Sequence, residues 1–118
     1  MKVAVIKETF PGETRVALVP ANVAAMKKAG CEIVVQRGAG VPSGYSDEAY
    51  AAQGATLASN RAEAVRAAQV VLAVRAFGAD PGAAAQDVPQ YSSGQCWVAF
   101  CDPLGEPAAL KPAVDAGL

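Results

Sequence analysis

Val70-Val71-Leu72-Ala73-Val74 is an unbroken apolar run rich in β-branched residues, and it stops on a charge, Arg75. A short continuous run of this kind suits a strand buried on both faces, as in a parallel sheet, whereas a half-exposed strand would alternate. Working outward, Ser59 or Asn60 is placed to cap a helix through Ala68 just before the run. Val3 to Ile6 and Ile33 to Val35 are further apolar runs, and Ala55 to Leu57 and Cys96 to Phe100 complete a set of five candidate strands. Between them lie helix markers. Pro20 is suited to a first helical position and Gly30 to the stop. Ser46 is an N-cap candidate ahead of Ala49 and Tyr50, with Gly54 as terminator. Gly78 to Ser93 holds two prolines and two glycines and is expected to be a long polar loop. Pro107 opens a last helix. Pro112 interrupts it at a cost on the order of 3 kcal/mol in a regular interior, so a kink or two short turns are expected.

Strands alternating with helices imply right-handed crossovers and a parallel sheet. The expected fold class is α/β, a Rossmann-like parallel sheet with flanking helices. Ligands of such sheets sit at the carboxyl ends of the strands. Those ends place Lys7-Glu8, Arg37-Gly38, Arg75-Ala76 and Cys101-Asp102 along one rim.

The 118 residues suit one domain, and the balance of 53% hydrophobic to 18% charged residues supports a packed core. The formal net charge of −1, with no basic stripe, argues against a nucleic-acid partner. There is no histidine, which removes the commonest general base and metal ligand. No metal site is expected. Cys31, Cys96 and Cys101 have no CxxC spacing, and reduced, buried thiols in the cytosol are the expectation. The N-terminal apolar run is too short for a signal peptide, and no run approaches the ~20 apolar residues of a membrane helix. A soluble chain without direct membrane insertion is expected.

Four side chains are candidates for a ligand-facing rim. Arg15 and Arg75 could converge above the sheet and clamp a carboxylate or phosphate, or they could be solvated or salt-bridged. Lys7, with Glu8, ends the first strand and could meet the same ligand or pair with Arg15. Asp102 could bind a hydroxyl or act as a base, or it could start an Asp-Pro turn. Trp97 is expected in the core. Gly38-Ala39-Gly40-Val41-Pro42-Ser43-Gly44 follows a strand and looks like a dinucleotide loop, but its third glycine is one residue late and Pro42 blocks an immediate helix. A pyrophosphate needs the helix N-terminus at that point, so a structural turn is the favoured reading.

Lys2-Val3-Ala4-Val5-Ile6-Lys7-Glu8 and Glu13-Thr14-Arg15-Val16-Ala17-Leu18-Val19-Pro20 together resemble the alanine dehydrogenase and nicotinamide nucleotide transhydrogenase N-terminal domain family. Gly30 to Gln36, Gly38-Ala39-Gly40, Tyr45 to Tyr50 and Ala52-Gln53-Gly54-Ala55 keep step, so the resemblance covers residues 1–118. Pro11-Gly12-Glu13-Thr14-Arg15-Val16-Ala17 is most similar to the alpha subunits of proton-translocating NAD(P) transhydrogenases.

The resemblance implies the N-terminal lobe of a two-lobed subunit, with an NAD(H)-binding Rossmann lobe beyond Leu118. The chain is then an incomplete copy, without cofactor-binding residues and inactive alone. It implies hydride transfer between NAD(H) and NADP(H) coupled to proton translocation, with NADP held by a partner subunit or domain. A homodimer, membrane-embedded transhydrogenase subunits as partners, and a cytoplasmic location peripheral to the inner membrane are implied with it. In alanine dehydrogenases an arginine, a lysine and a histidine handle the amino or keto acid. Arg15 keeps the arginine, Arg75 stands at the lysine position, and Asp102 falls near the histidine position. An alanine dehydrogenase-like oxidoreductase and a non-catalytic assembly module are the alternatives.

Overall fold

The computed structural model describes all residues from Met1 to Leu118. Five strands, β1 (Lys2–Val5), β2 (Glu32–Gln36), β3 (Thr56–Ala58), β4 (Val70–Arg75) and β5 (Cys96–Phe100), form one sheet in the order β3-β2-β1-β4-β5. Every neighbouring pair is parallel. The α/β class with flanking helices is therefore as expected. β3 starts one residue later than the sequence suggested.

The chain runs outward from β1 to β2 and β3, then returns to β4 on the other side of β1. Helices α1 (Pro20–Lys28) and α2 (Asp47–Ala52) serve the outward run, and α3 (Arg61–Ala67) serves the return. Right-handed crossovers in opposite directions put their helices on opposite faces. Accordingly Val3, Val5, Ile33 and Val35 pack with Leu18, Val23 and Tyr50, while Ala4, Ile6, Val34 and Val71 pack with Ala64 and Val65. The central strands are buried on both faces, which is why their sequences show no alternation.

The caps are chemical. Ser46 accepts from the Ala49 amide and Asn60 from the Glu63 amide, so α2 and α3 begin where the sequence places them. Pro107 opens a 3-10 turn, and α5 (Lys111–Asp115) starts afresh with Pro112 in its first turn, so the two prolines make two short pieces.

The segment from Gly78 to Ser93 corrects the expectation of a long loop. It contains α4 (Pro81–Asp87), flanked by 3-10 turns at Phe77–Ala79 and Val88–Gln90. Asp80 caps α4 by accepting from the Ala83 amide at 3.2 Å, and Pro81 sits at the first position, where a missing N–H is harmless. At the far end Asp87 is bound by Arg61 through a two-pronged pair of 2.6 and 2.7 Å.

The thiol expectation also needs correction. Cys96 is exposed, and Cys31 and Cys101 are only partly buried. Cys96 alternates with Trp97 on an edge strand whose one face carries no helix. Trp97 is half-buried against Phe77 and Tyr91, with ring centroids 5.5 and 5.3 Å away. No helix is long and apolar enough to cross a membrane.

Candidate functional site

The sheet order reverses at β1, so the β1–β4 fork is the switch point at which doubly wound sheets admit ligands. Here the chain fills it with its own carboxylate. Glu8 follows β1 and accepts from the amides of Val74 and Arg75 at 2.6 and 3.1 Å. Burial raises its pKa above the ordinary carboxylate value, against the pull of the two amides. Lys7 takes no part in this. Its amide donates to the Gln36 side chain at 2.9 Å, its carbonyl accepts from Arg61 at 2.8 Å, and the residue is exposed. Neither Lys7 nor Glu8 pairs with Arg15.

Arg15 and Arg75 do converge, and the residue that joins them is Glu13. Arg15 donates to both Glu13 oxygens from Nε and Nη2 at 2.8 Å each, and its amide adds a third bond at 3.1 Å. Arg75 reaches the same carboxylate from the end of β4, its Nε 3.0 Å from Oε2. The Phe10 ring lies against the Arg75 guanidinium at 4.3 Å. The bonds from Arg15, then those from Arg75, hold the Glu13 carboxyl well below the usual carboxylate range, and Glu13 in turn raises the Arg15 pKa. Glu13 was not among the residues singled out from sequence. Its only trace there is the Glu13-Thr14-Arg15 spacing, whose meaning depends on a loop that folds back over β4.

Asp102 lies past β5 and makes no hydrogen bond or ion pair with this cluster. It adopts φ 46°, its side chain accepts from the Gly105 amide, and its carbonyl accepts from the Glu106 amide. This is the geometry of a turn-starting aspartate. The glycine loop after β2 is also engaged internally. The Gly38 amide donates to Asp47 at 2.8 Å, and a Cβ on Gly40 would stand 2.6 Å from the Tyr50 ring. These residues do not fit a nucleotide pyrophosphate, because the amide is taken and the space is filled. No three His, Cys, Asp or Glu side chains converge to hold a metal ion.

Beside the arginine cluster an apolar groove of about 510 Å³ runs over β4 and β5, with Val16, Leu72, Val74, Val98 and Phe100 in its lining and Arg15 at its rim. The rim thus offers one exposed guanidinium over an apolar floor. Its carboxylates are already bonded, and it has no imidazole.

Residues 4–118 match the family described as alanine dehydrogenase/PNT, N-terminal domain. The NAD(P) transhydrogenase subunit alpha of Cereibacter sphaeroides is 32% identical over 117 residues, which is 99% of this chain and 21% of the relative. An alanine dehydrogenase of Halomonas elongata is 32% identical over 117 residues, 99% of this chain and 30% of the relative. The crystal structure of a transhydrogenase from Sinorhizobium meliloti superposes with a TM-score of 0.89 at 34% identity, covering 100% of this chain and 33% of that one. The chain therefore spans between a fifth and a third of the length of these relatives.

Proposed function

The chain belongs to the alanine dehydrogenase/PNT N-terminal domain family, and from that premise we propose that it forms one wall of a nicotinamide-nucleotide cleft in a transhydrogenase alpha subunit. The observation that carries this reading is the state of the rim. Glu8 is spent on β4 amides, Glu13 on two guanidiniums and Asp102 on its own turn, and the chain has no histidine. Amino-acid oxidation needs a positioned acid–base group. Hydride exchange between two nicotinamide nucleotides does not, since the chemistry is the cofactor's and the protein's task is to orient and to exclude water. A rim with a fixed guanidinium, no imidazole and its carboxylates already bonded fits the second task.

On this reading Arg15, Arg75, Asp102 and Lys7 are the residues nearest the cleft, with Arg15 presenting an exposed guanidinium to it. Residues 1–118 make up the N-terminal lobe. NAD would be held mainly by a nucleotide-binding lobe outside this chain, and NADP by a partner subunit or domain. Dimerisation, membrane-embedded partner subunits and a cytoplasmic position beside the membrane belong to the same proposal.

The test is hydride exchange from NADPH to an NAD⁺ analogue by the intact gene product, reconstituted with its partner subunits. Exchange supports the proposal. Pyruvate- and ammonia-dependent NADH oxidation in its place would move the assignment to an amino-acid dehydrogenase. Calorimetry of this chain against NADH separates the third possibility: no heat is expected from residues 1–118, so absence of exchange by the intact gene product as well would leave an assembly module.

A further inference from the structure

We infer that Glu13 is a positioning residue for Arg15, braced by Arg75 and Phe10, so that Arg15 presents a fixed hydrogen-bonding edge at the rim. This builds on the reading that Arg15 faces the cleft. Its physical basis is a contact chain that starts on a rigid element and ends at an exposed group.

The Arg15 side chain is 62% exposed, whereas that of Glu13 is 5% exposed. A guanidinium that open to water would ordinarily sample many rotamers, and ordering such a side chain costs conformational entropy. Glu13 restrains it by taking Nε–H and one hydrogen of Nη2 in a two-pronged pair. Nη1 has no partner in the protein. Its hydrogens and the outward hydrogen of Nη2 form an end-on fork, a shape that matches a carboxylate or phosphate.

Glu13 cannot hold this pose alone, because it lies in the loop between β1 and α1. It is fixed from the sheet side by Arg75 Nε at 3.0 Å. Arg75 in turn is fixed by its place at the end of β4, by Phe10 and by a long contact from Nη1 to the Ala79 carbonyl at 3.5 Å. The charges at this corner cancel, since Arg15 and Arg75 stand with Glu8 and Glu13. Long-range attraction of an anion is therefore weak, and what Arg15 offers is direction. Direction depends on the brace.

The experiment is arginine side-chain NMR on the ¹⁵N-labelled chain, with the Nε–H exchange rate of Arg15 as the readout. Replacing Arg75 by Lys keeps the charge and leaves the Arg15–Glu13 pair untouched, but removes the planar donor and the flat contact with Phe10. Loss of one charge-assisted hydrogen bond corresponds to about a tenfold change in an opening equilibrium. R75K is accordingly expected to speed Arg15 Nε–H exchange by about tenfold, E13A to speed it further, and E13D to restore part of the protection. Circular dichroism and backbone amide spectra of each variant confirm the fold. Where R75K does not fold, F10L gives the same test through the other side of the brace. Arg15 exchange within twofold of wild type in a folded R75K or F10L variant, or in E13A, overturns the inference. The readout uses no nucleotide, so failure of hydride exchange by the intact gene product would count against the proposed function and leave this relay standing.

Discussion

A carboxylate that accepts from two guanidiniums and a main-chain amide is favoured in its charged form, and this is the condition of Glu13. Its folded-state pKa lies below the ordinary value of 4.5. The stability it contributes is therefore complete above that value and is lost as pH falls through the folded pKa. Glu8 has the opposite sign. Burial raises its pKa above 4.5, so its contribution declines as pH rises through the window above that value. Glu13→Gln removes the first effect and leaves the second. Thermal melts between about pH 5 and about pH 3 are expected to fall less steeply for E13Q than for wild type; parallel slopes would show that the Glu13 pairs do not matter to folding. A second residue-scale prediction concerns Gly40, whose added Cβ would meet the Tyr50 ring at 2.6 Å and the Tyr45 carbonyl at 2.9 Å. Tyr50 cannot readily yield, because it is fully buried and its hydroxyl donates to the Leu18 carbonyl at 2.7 Å. Gly40→Ala should cost roughly 1–3 kcal/mol by overpacking, read as a lower denaturant midpoint. An unchanged midpoint would mean that the glycine is kept for some reason other than space.

The strands were legible because burial on both faces leaves a direct mark, as in Val70 to Val74, which needs no knowledge of the rest of the fold. The caps were legible for a similar reason, since Ser46 and Asn60 act on amides three residues away. Helix α4 was hidden because Pro81 and Gly82 are loop residues in isolation, whereas Pro81 behind an N-cap such as Asp80 is a helix starter. What holds α4 in place is a long-range pair that no local pattern announces: Arg61 of α3 on Asp87, with side chains 18% and 4% exposed. The same limit applied at the rim, where Arg75 could be placed by the end of its strand and the carboxylate that joins it to Arg15 could not. Removing one partner of a buried pair strands the other charge, at about 3–5 kcal/mol. Arg61→Ala should therefore lower the melting temperature by about 4 °C or more per kcal/mol and expose the α4 amides to hydrogen exchange. Replacing both partners by leucine should recover much of the loss. Were R61A and the double variant equally destabilised, the stranded Asp87 charge would not be the source of the loss.

At the scale of the whole molecule, topology leaves part of one sheet face without a covering helix. Crossovers from β1 towards β3 put α1 and α2 on one face, and the return to β4 and β5 puts α3 and α4 on the other. The half of the α1–α2 face that lies over β4 and β5 receives no helix from either run. This is why β5 alternates, with Trp97 and Ala99 packed inward and Val98 and Phe100 left 56% and 71% exposed. The same bareness creates the groove beneath Arg15. Apolar surface gathered on one face is hydrophobic to a probe in a way that scattered exposed residues are not. The chain should therefore enhance the fluorescence of anilinonaphthalene sulfonate while natively folded. Val98→Thr with Phe100→Thr keeps strand-forming residues on β5 and removes the apolar atoms. Because those side chains are already largely in water, the cost in stability should stay within about 0.5 kcal/mol, while the dye signal should fall by about half or more, as area-proportional apolar binding requires. A signal that survives the double substitution would locate the dye elsewhere, with the cleft between β5 and α5 as the next surface to alter; a signal that falls together with stability would mean that these side chains pack in the folded chain more closely than their exposure indicates.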